Sequence, residues 1–427
     1  MPEQLAEDRE QAIARIGKAD ILVGIPSYNN SKTISHVVRA VNAGLAKYFP
    51  SCKTVLVNSD GGSNDGTQDA VRSATLADLQ SLLIQLPGNS LEKIITPYHG
   101  IPGKGSSFRT IFEIAQALQV KACAVVDSDL RSITPEWMEL LLSPILSRNF
   151  DYVSPLYMRH KYDGTITNTI VYPLTRALYG KRIRQPIGGD FGFSQKLVDE
   201  FLSRDVWDSD VARFGIDIWM TTIALASKAN ICQSFLGAKI HDAKDPGVHL
   251  GTMMTQVVGS VFSLMETFAA SWDLVDGSVS VPLFGFPYAV GSEPVHVNVD
   301  LMIEKFRLGL RELSPLWKTF LAPEIVDRFT QVGQASPEHF CLDDELWAIL
   351  IYEFALAYHT KAMNRDHLIK SLVPLYLAKT ASHVLATRDS TPEEAEEAIE
   401  DLALTFEIQK SYLRERWRKS GPEEGRK

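Results

Sequence analysis

The stretch CAVVDSDLRS (123–132) places two carboxylates, Asp127 and Asp129, two residues apart, directly behind an apolar run. Two such groups at the end of a buried strand are costly to hold together unless a cation lies between or beside them. Hard divalent cations such as Mg²⁺ or Mn²⁺ take carboxylate oxygens and keep positions for substrate phosphates. A metal bridging the pair to a diphosphate is therefore one reading. The other is that Asp129 caps the next helix and Asp127 ends a strand against a basic neighbour. Two more stretches bear on the choice. YHGIPGKGSSFR (98–109) sets Lys104 between glycines just before a predicted helix, whose first N–H groups suit an anion. Its spacing is neither GxxxxGK[ST] nor GxGxxG, and a Gly-rich turn with a solvated lysine is the plain alternative. NSDGGSNDGT (58–67) puts Asp60 at a strand end, where it could accept hydrogen bonds from a base or ribose, or simply shape a turn.

The elements that must position these groups are legible as alternating apolar runs and helical periodicity. DILVGIPSYNN (20–30) predicts a strand stopped at Pro26, and 33–49 predicts a helix. KTVLVNSDGGSNDGT (53–67) predicts a second strand and loop. A helix follows, then a third strand, the Lys104 loop and another helix; KACAVVDSDL is the fourth strand. Strands alternating with helices predict a mostly parallel sheet covered on both faces. Ligands of such sheets sit beyond the carboxyl ends of the strands, where all of these polar loops fall. Beyond about residue 250 helical patterns dominate, at 251–272, 299–313, 342–363, 366–388 and 392–417. The sequence thus predicts an N-terminal helix (1–18), an α/β domain (19–250), a helical domain (251–418) and a flexible tail (419–427).

Taken together, these motifs resemble the nucleotide-diphospho-sugar glycosyltransferases of the GT-A fold. The order PSYNN (26–30), NSDGGSNDGT (58–67), PGKGSS (102–107), DSD (127–129) is that family's. RIRQPIGGDFGFS (182–194), FGIDIW (214–219) and AKIHDAK (238–244) resemble the retaining enzymes that make glucosylglycerate, mannosylglycerate or their 3-phosphate precursors. The resemblance covers roughly 20–270, and the long helical C-terminal part looks more like the glucosylglycerate and mannosylglycerate synthases.

The resemblance implies a role for each matching position. Asp129 and His241 would bind the Mg²⁺ or Mn²⁺, with Asp127 contacting ribose or metal. Pro26, Ser27, Tyr28, Asn30, Asp60 and Lys104 match positions that hold the nucleotide. Gly188, Gly189 and Asp190 match a GGE-like motif beside the donor sugar, with Asp in place of the usual Glu. Asp217 matches the carboxylate near the reacting sugar, so Asp217, Asp190 and Lys104 are the expected catalytic set. Where the phosphoglycerate-dependent enzymes carry a Gly-Arg-Val-Thr-like acceptor loop, this chain has Gly164-Thr165-Ile166-Thr167. Losing the guanidinium favours unphosphorylated D-glycerate, whereas Arg159 and Lys161 nearby could hold a carboxylate or restore phosphate binding. Thr167 or Asn168 would donate to the acceptor. The implied reaction moves a hexose, glucose from UDP-glucose in preference to mannose from GDP-mannose, to the 2-hydroxyl of D-glycerate with retention. 3-Phosphoglycerate is the alternative acceptor, and an inactive sugar-nucleotide-binding protein is the alternative of another class. No carboxylate nucleophile of the glycosidase kind stands out.

Bulk properties narrow the field. The 427 residues are 45% hydrophobic and 22% charged, with a net charge of −9, which disfavours a general affinity for nucleic acid or anionic membranes. No run approaches the roughly 18 apolar residues of a membrane span. The opening MPEQLAEDREQAIARIGKAD has no apolar signal core. Four dispersed cysteines, none in a CxxC pair, read as reduced. A cytoplasmic protein is expected. The helical part, with Leu346, Trp347, Leu350, Phe354 and Tyr358 at helical spacing, suits a core or a homodimer interface.

Overall fold

The computed structural model describes residues 2–74, 92–97, 103–209, 211, 215–240, 246–288, 291 and 295–420. Its fold is mixed α/β, with a large, mostly parallel sheet and a helical C-terminal region. The chain divides into two compact units. The first comprises Met1–Met158, Gln185–Lys244 and Val281–Ser292; the second comprises Arg159–Arg184, Asp245–Ser280 and Glu293–Lys427. A single boundary near 250 is therefore replaced by an interleaved one. Residues 159–184 group with the helices, and 281–292 return to the sheet, where they supply its edge strand.

The first unit is built on strands β1 (Ile21–Ser27), β2 (Thr54–Asp60), β3 (Glu92–Pro97), β4 (Ala122–Val125) and β5 (Tyr152–Met158). The second unit holds the short pair β6 (Lys181–Arg182) and β9 (Val279–Ser280). β7 (Phe191–Ser194), β8 (Ile231–Ala238) and β10 (Leu283–Phe284) complete the large sheet, in the order β10-β8-β5-β7-β4-β1-β2-β3. Every pairing in it is parallel except those of β7, which runs antiparallel to both β4 and β5. β1 and β8 are buried along their whole length, as a sheet covered on both faces requires.

Alternation sorts the β1 side chains between two cores. Ile21, Val23 and Ile25 join Val37, Val41, Trp137, Met138 and Leu141 from the helices Ile34–Tyr48 and Glu136–Arg148. On the opposite face the helix Lys104–Ala117 comes so close that a Cβ at Gly24 would lie 2.5 Å from Ile111 Cγ2. Phe112 of that helix packs edge-on against Phe193 of β7 and close to Phe201. The four cysteines are free thiols, with Cys123 and Cys232 buried.

In the second unit the long helices are Pro246–Thr267, Val299–Trp317, Asp344–His359, Arg365–Ala386 and Pro392–Ser420, close to the predicted spans. The helix Pro323–Gln334 was not anticipated, although Ile325, Val326 and Phe329 give it a buried face. Side-chain caps fix three starts: Asn298 accepts from Leu301 N, Asp343 from Leu346 N and Asn364 from His367 N. Among the described residues, no helix is long and apolar enough to cross a membrane.

His383, on the Arg365–Ala386 helix, has a buried Nε2 without a hydrogen-bond partner. Burial, aided by Lys379, pushes its pKa down to about 4. An unfolded histidine titrates near 6.5, so between about pH 6.5 and 4 the unfolded chain binds the extra proton. Stability is therefore full above pH 6.5 and falls as pH drops, by at most about 3 kcal/mol for this group. His383→Phe is expected to flatten the loss seen in urea unfolding at pH 7 and pH 4.5. An unchanged pH slope would remove His383 from the account.

Candidate functional site

The carboxyl edge of the sheet brings together Lys104, Asp127, Asp190 and Asp217 of the expected residues, and the strand order determines which side chains become neighbours. Reading across β8, β5, β7 and β4, four adjacent strands present Lys239, Tyr157, Asp190 and Asp127 at this edge. Lys239 directly follows β8, Tyr157 is near the end of β5, and Asp127 lies two residues past β4. Asp190 joins them because β7 is antiparallel, so its amino end points where the carboxyl ends of its neighbours do.

Five acidic and basic side chains alternate across the site. Lys239 Nζ donates to Asp190 Oδ2, Asp127 Oδ2 and the Gly188 carbonyl, each at 2.8 Å. Asp127 Oδ1 lies 2.8 Å from Lys104 Nζ, which donates to Asp217 Oδ2 at 3.2 Å. The Asp190 side chain is fully buried; it also accepts from the Asp127 backbone N–H at 2.7 Å and from the Tyr157 hydroxyl. Three aspartates and two lysines leave one negative charge in excess, and Asp129 adds another.

The electrostatics follow from burial set against pairing. Burial opposes the charge of Asp127, but Lys104 and Lys239 on either side hold its carboxyl far below the usual range. Burial likewise opposes the charge on Lys104, and Asp127 and Asp217 outweigh it, raising the ammonium pKa. Asp190 and Asp217 are pushed up by burial; Lys239 and Lys104 respectively offset this only in part, and Asp127 adds to it in both cases. Asp217 Oδ1 is buried with no hydrogen-bond partner. Paired carboxylates with negative charge in excess, and one buried acceptor oxygen left open, form a site suited to a cation and to a hydroxyl-bearing ligand.

Local sequence explains how each group is held. Lys104 is the first residue of its helix, after Gly103, so it stands at the positive end of the helix dipole. Asp217 lies in the first turn of the helix Ile216–Ala226. One turn on, Thr221 anchors that helix by donating to the Pro186 carbonyl at 2.7 Å, just before the glycine pair. Gln185 imitates a strand neighbour for Tyr157, accepting from its N–H at 3.2 Å and donating to its carbonyl at 3.0 Å. Gly189 adopts φ +92°, and a Cβ there would lie 2.2 Å from Asp127 Oδ2 and 2.8 Å from Lys239 Nζ. Gly189→Ala is therefore expected to separate that ion pair and to destabilise the protein by roughly 1–3 kcal/mol. Urea unfolding measures this, and a wild-type midpoint would show that the turn relaxes without penalty.

The other predicted residues divide into two groups. Ser27, Asn30 and Asp60 build the loops beside the edge. Asn30 Oδ1 accepts from Tyr28 N at 3.0 Å and from Ser128 Oγ at 2.8 Å, tying the β1 loop to the DSD turn. Pro26 is buried within β1, and Tyr28 is exposed. Asp60, expected to meet a base or ribose, is buried and accepts from Ser27 Oγ, Ser63 Oγ, Gly62 N, Ser63 N and Gln68 Nε2. Both its oxygens are engaged in shaping the loop. Asp190 also departs from expectation: its carboxylate meets Lys239, Tyr157 and backbone, not an open space for sugar hydroxyls. Asp129 follows the same turn and is half-buried, whereas His241 lies outside the described residues. Among the described residues, no group of three or more His, Cys, Asp or Glu gathers as a metal site.

The expected acceptor residues lie in the second unit. Thr167 and Asn168 open a π-helical turn, Thr167–Val171, that runs into the helix Tyr172–Tyr179. Asn168 Nδ2 donates to the Asp163 carbonyl at 3.0 Å, Thr165 hydrogen-bonds the Tyr376 hydroxyl, and Arg159 pairs with Asp163 at 3.4 Å. Lys161 is corrected: its ammonium donates to the carbonyls of Thr387, Arg388 and Ser390 at 2.6, 2.9 and 2.9 Å. All three protons close the end of the Arg365–Ala386 helix, leaving none for an acceptor. Lys239 and Tyr157 are the site residues that sequence reasoning missed, although Lys239 lies inside the AKIHDAK stretch already singled out for His241.

No protein-family model matches the chain, and no curated protein does either. Solved structures are matched at low identity. Glucosyl-3-phosphoglycerate synthase from Mycobacterium tuberculosis, in complex with Mn²⁺, UDP and glucosyl-3-phosphoglycerate, is 21% identical over 60% of this chain and 83% of that one, with a TM-score of 0.43. The same enzyme with Mg²⁺ and UDP gives 20% identity, the same coverages and 0.43. With Mn²⁺, UDP-glucose and glycerol 3-phosphate it gives 21%, the same coverages and 0.42. At these values the likeness assigns neither substrate nor mechanism to this chain.

Proposed function

We propose that this protein is a nucleotide-diphospho-sugar glycosyltransferase of the GT-A type, transferring glucose from UDP-glucose to the 2-hydroxyl of D-glycerate with retention of configuration. The observation that carries this reading is the alternating array Asp190–Lys239–Asp127–Lys104–Asp217 at the carboxyl edge of a mostly parallel sheet. The order of sequence motifs around it supports the same reading.

Lys104, at a helix N-terminus, would bind the diphosphate and stabilise the charge that develops on it. The excess negative charge and the carboxylate oxygens at the DSD turn fit a hard divalent cation. Asp129 and Asp127, with His241, would hold Mg²⁺ or Mn²⁺, which when bound supplies further charge neutralisation for the leaving diphosphate. Asp217, with one oxygen on Lys104 and the other unpartnered, would orient a donor-sugar hydroxyl. In the transfer, the bond from the sugar anomeric carbon to the phosphate oxygen breaks and its electron pair leaves with the diphosphate. The acceptor 2-hydroxyl oxygen bonds to that carbon from the same face, and its proton passes to the departing phosphate.

The acceptor assignment rests on residue type: Thr165 stands where the phosphoglycerate-dependent enzymes carry arginine, which favours D-glycerate. The test is a product assay with Mg²⁺ or Mn²⁺, crossing UDP-glucose and GDP-mannose with D-glycerate and 3-phosphoglycerate, with NMR of any product. An α-linked glucoside of D-glycerate is expected. Turnover with 3-phosphoglycerate alone would overturn the acceptor, mannose transfer would overturn the donor, and an inverted linkage would overturn retention.

A further inference from the structure

We propose that Lys239 is a positioning residue of the donor site, the resident counter-ion of Asp127 that allows Lys104 to serve the diphosphate. The inference rests on the donor reading above. Lys104 gives two of its three protons to Asp127 and Asp217, so an incoming diphosphate competes with both carboxylates for one ammonium. If Lys104 were the sole protein cation beside Asp127, turning to a phosphate would leave the charge of that side chain, only 20% exposed, to be balanced by the bound metal alone, at a cost in pairing. Lys239 removes that cost, because it holds the other oxygen, Oδ2, from the opposite side.

Three features mark Lys239 as built for this task. Its side chain is 5% exposed, so it is not a solvated surface lysine. Its three bonds, to Asp127, Asp190 and the Gly188 carbonyl, engage all its protons. Its ammonium lies 5.2 Å from the centroid of the Tyr157 ring, whose hydroxyl bonds the same Asp190. Gly189 preserves the space, since a Cβ would intrude on both members of the Lys239–Asp127 pair. Lys239, Asp190 and Tyr157 thus form a fixed half of the site, and Asp127 Oδ1, Lys104 and Asp217 form the half that exchanges partners with ligand.

The test compares Lys239→Met, Lys104→Met and the double variant, by calorimetric binding of UDP with Mn²⁺ and by UDP release from UDP-glucose. Lys239→Met is expected to weaken UDP binding by on the order of 30-fold. In that background Lys104→Met should cost far less than it does alone, because Lys104 would already be committed to Asp127; a merely structural role predicts additive losses. If Lys239→Met does not fold, the charge-balanced Lys239→Met/Asp190→Asn variant takes its place in the same cycle. Additive effects, or wild-type UDP affinity in the folded variant, would overturn the assignment to Lys239 alone. Failure of the wild-type protein to bind UDP with Mn²⁺ would overturn the donor reading and this inference with it.

Discussion

Lys104→Met is expected to lower turnover by on the order of 10²–10³-fold and to reduce stability by roughly 2–4 kcal/mol. The first figure is the usual cost of removing one preorganised group from developing transition-state charge. The second reflects a carboxylate at each side losing its partner: Asp217 would lose its ammonium at 3.2 Å, and Asp127 would depend on Lys239 alone. The two effects are separable. Steady-state kinetics at a temperature well below the unfolding transition report the loss of catalysis, and urea unfolding reports the loss of pairing. Lys104→Arg is not expected to restore turnover, because a planar fork replaces a compact ammonium held between two aspartates. Turnover within a few-fold of wild type in a folded Lys104→Met protein would remove the lysine from catalysis and leave it a structural cation.

Much of this site is visible before any fold is known, and the part that is not has physical reasons. β1, β2 and β4 announce themselves as apolar runs ending in polar residues, so the carboxyl-edge positions of Ser27, Asp60 and Asp127 can be placed from sequence. β7 cannot, because FGFS is four residues long and nothing in it encodes its antiparallel direction. Yet that direction brings Asp190 to the edge. Lys239 is hidden for a similar reason. One lysine after an apolar strand has no spacing signature, and its meaning depends on β8, β5, β7 and β4 lying side by side.

Competition for hydrogen bonds explains the other departures. Asp60 and Lys161 have the right residue types for ligand contact, but backbone claims them first, locally in the Ser63 turn for Asp60 and at the sequence-distant end of the Arg365–Ala386 helix for Lys161. Sequence shows what a side chain can bond, and only the fold shows what is already bonded to it. The interleaving of the units has the same character: residues 159–184 read as one more part of the α/β pattern, and their buried partners are helices nearly two hundred residues away.

Asp217→Asn is expected to separate function from stability in the opposite sense to Lys104→Met. Burial raises the Asp217 pKa above its ordinary value, with Lys104 offsetting only part of that cost. A carboxyl whose folded pKa is raised favours folding when protonated and loses that contribution as pH climbs through the folded value. When ionised, the side chain is thus a burden on the fold, and one of its oxygens is buried without a partner. Asparagine keeps the shape and an acceptor for Lys104 while removing the charge, so the variant should unfold at the same urea concentration as wild type or higher. Turnover should fall by about 10² or more, since the amide removes the negative charge that would face the donor sugar. Stabilisation with loss of activity is what a group retained for function predicts. Full activity would exclude Asp217 from the mechanism, and a marked loss of stability would make its pair with Lys104 a structural one.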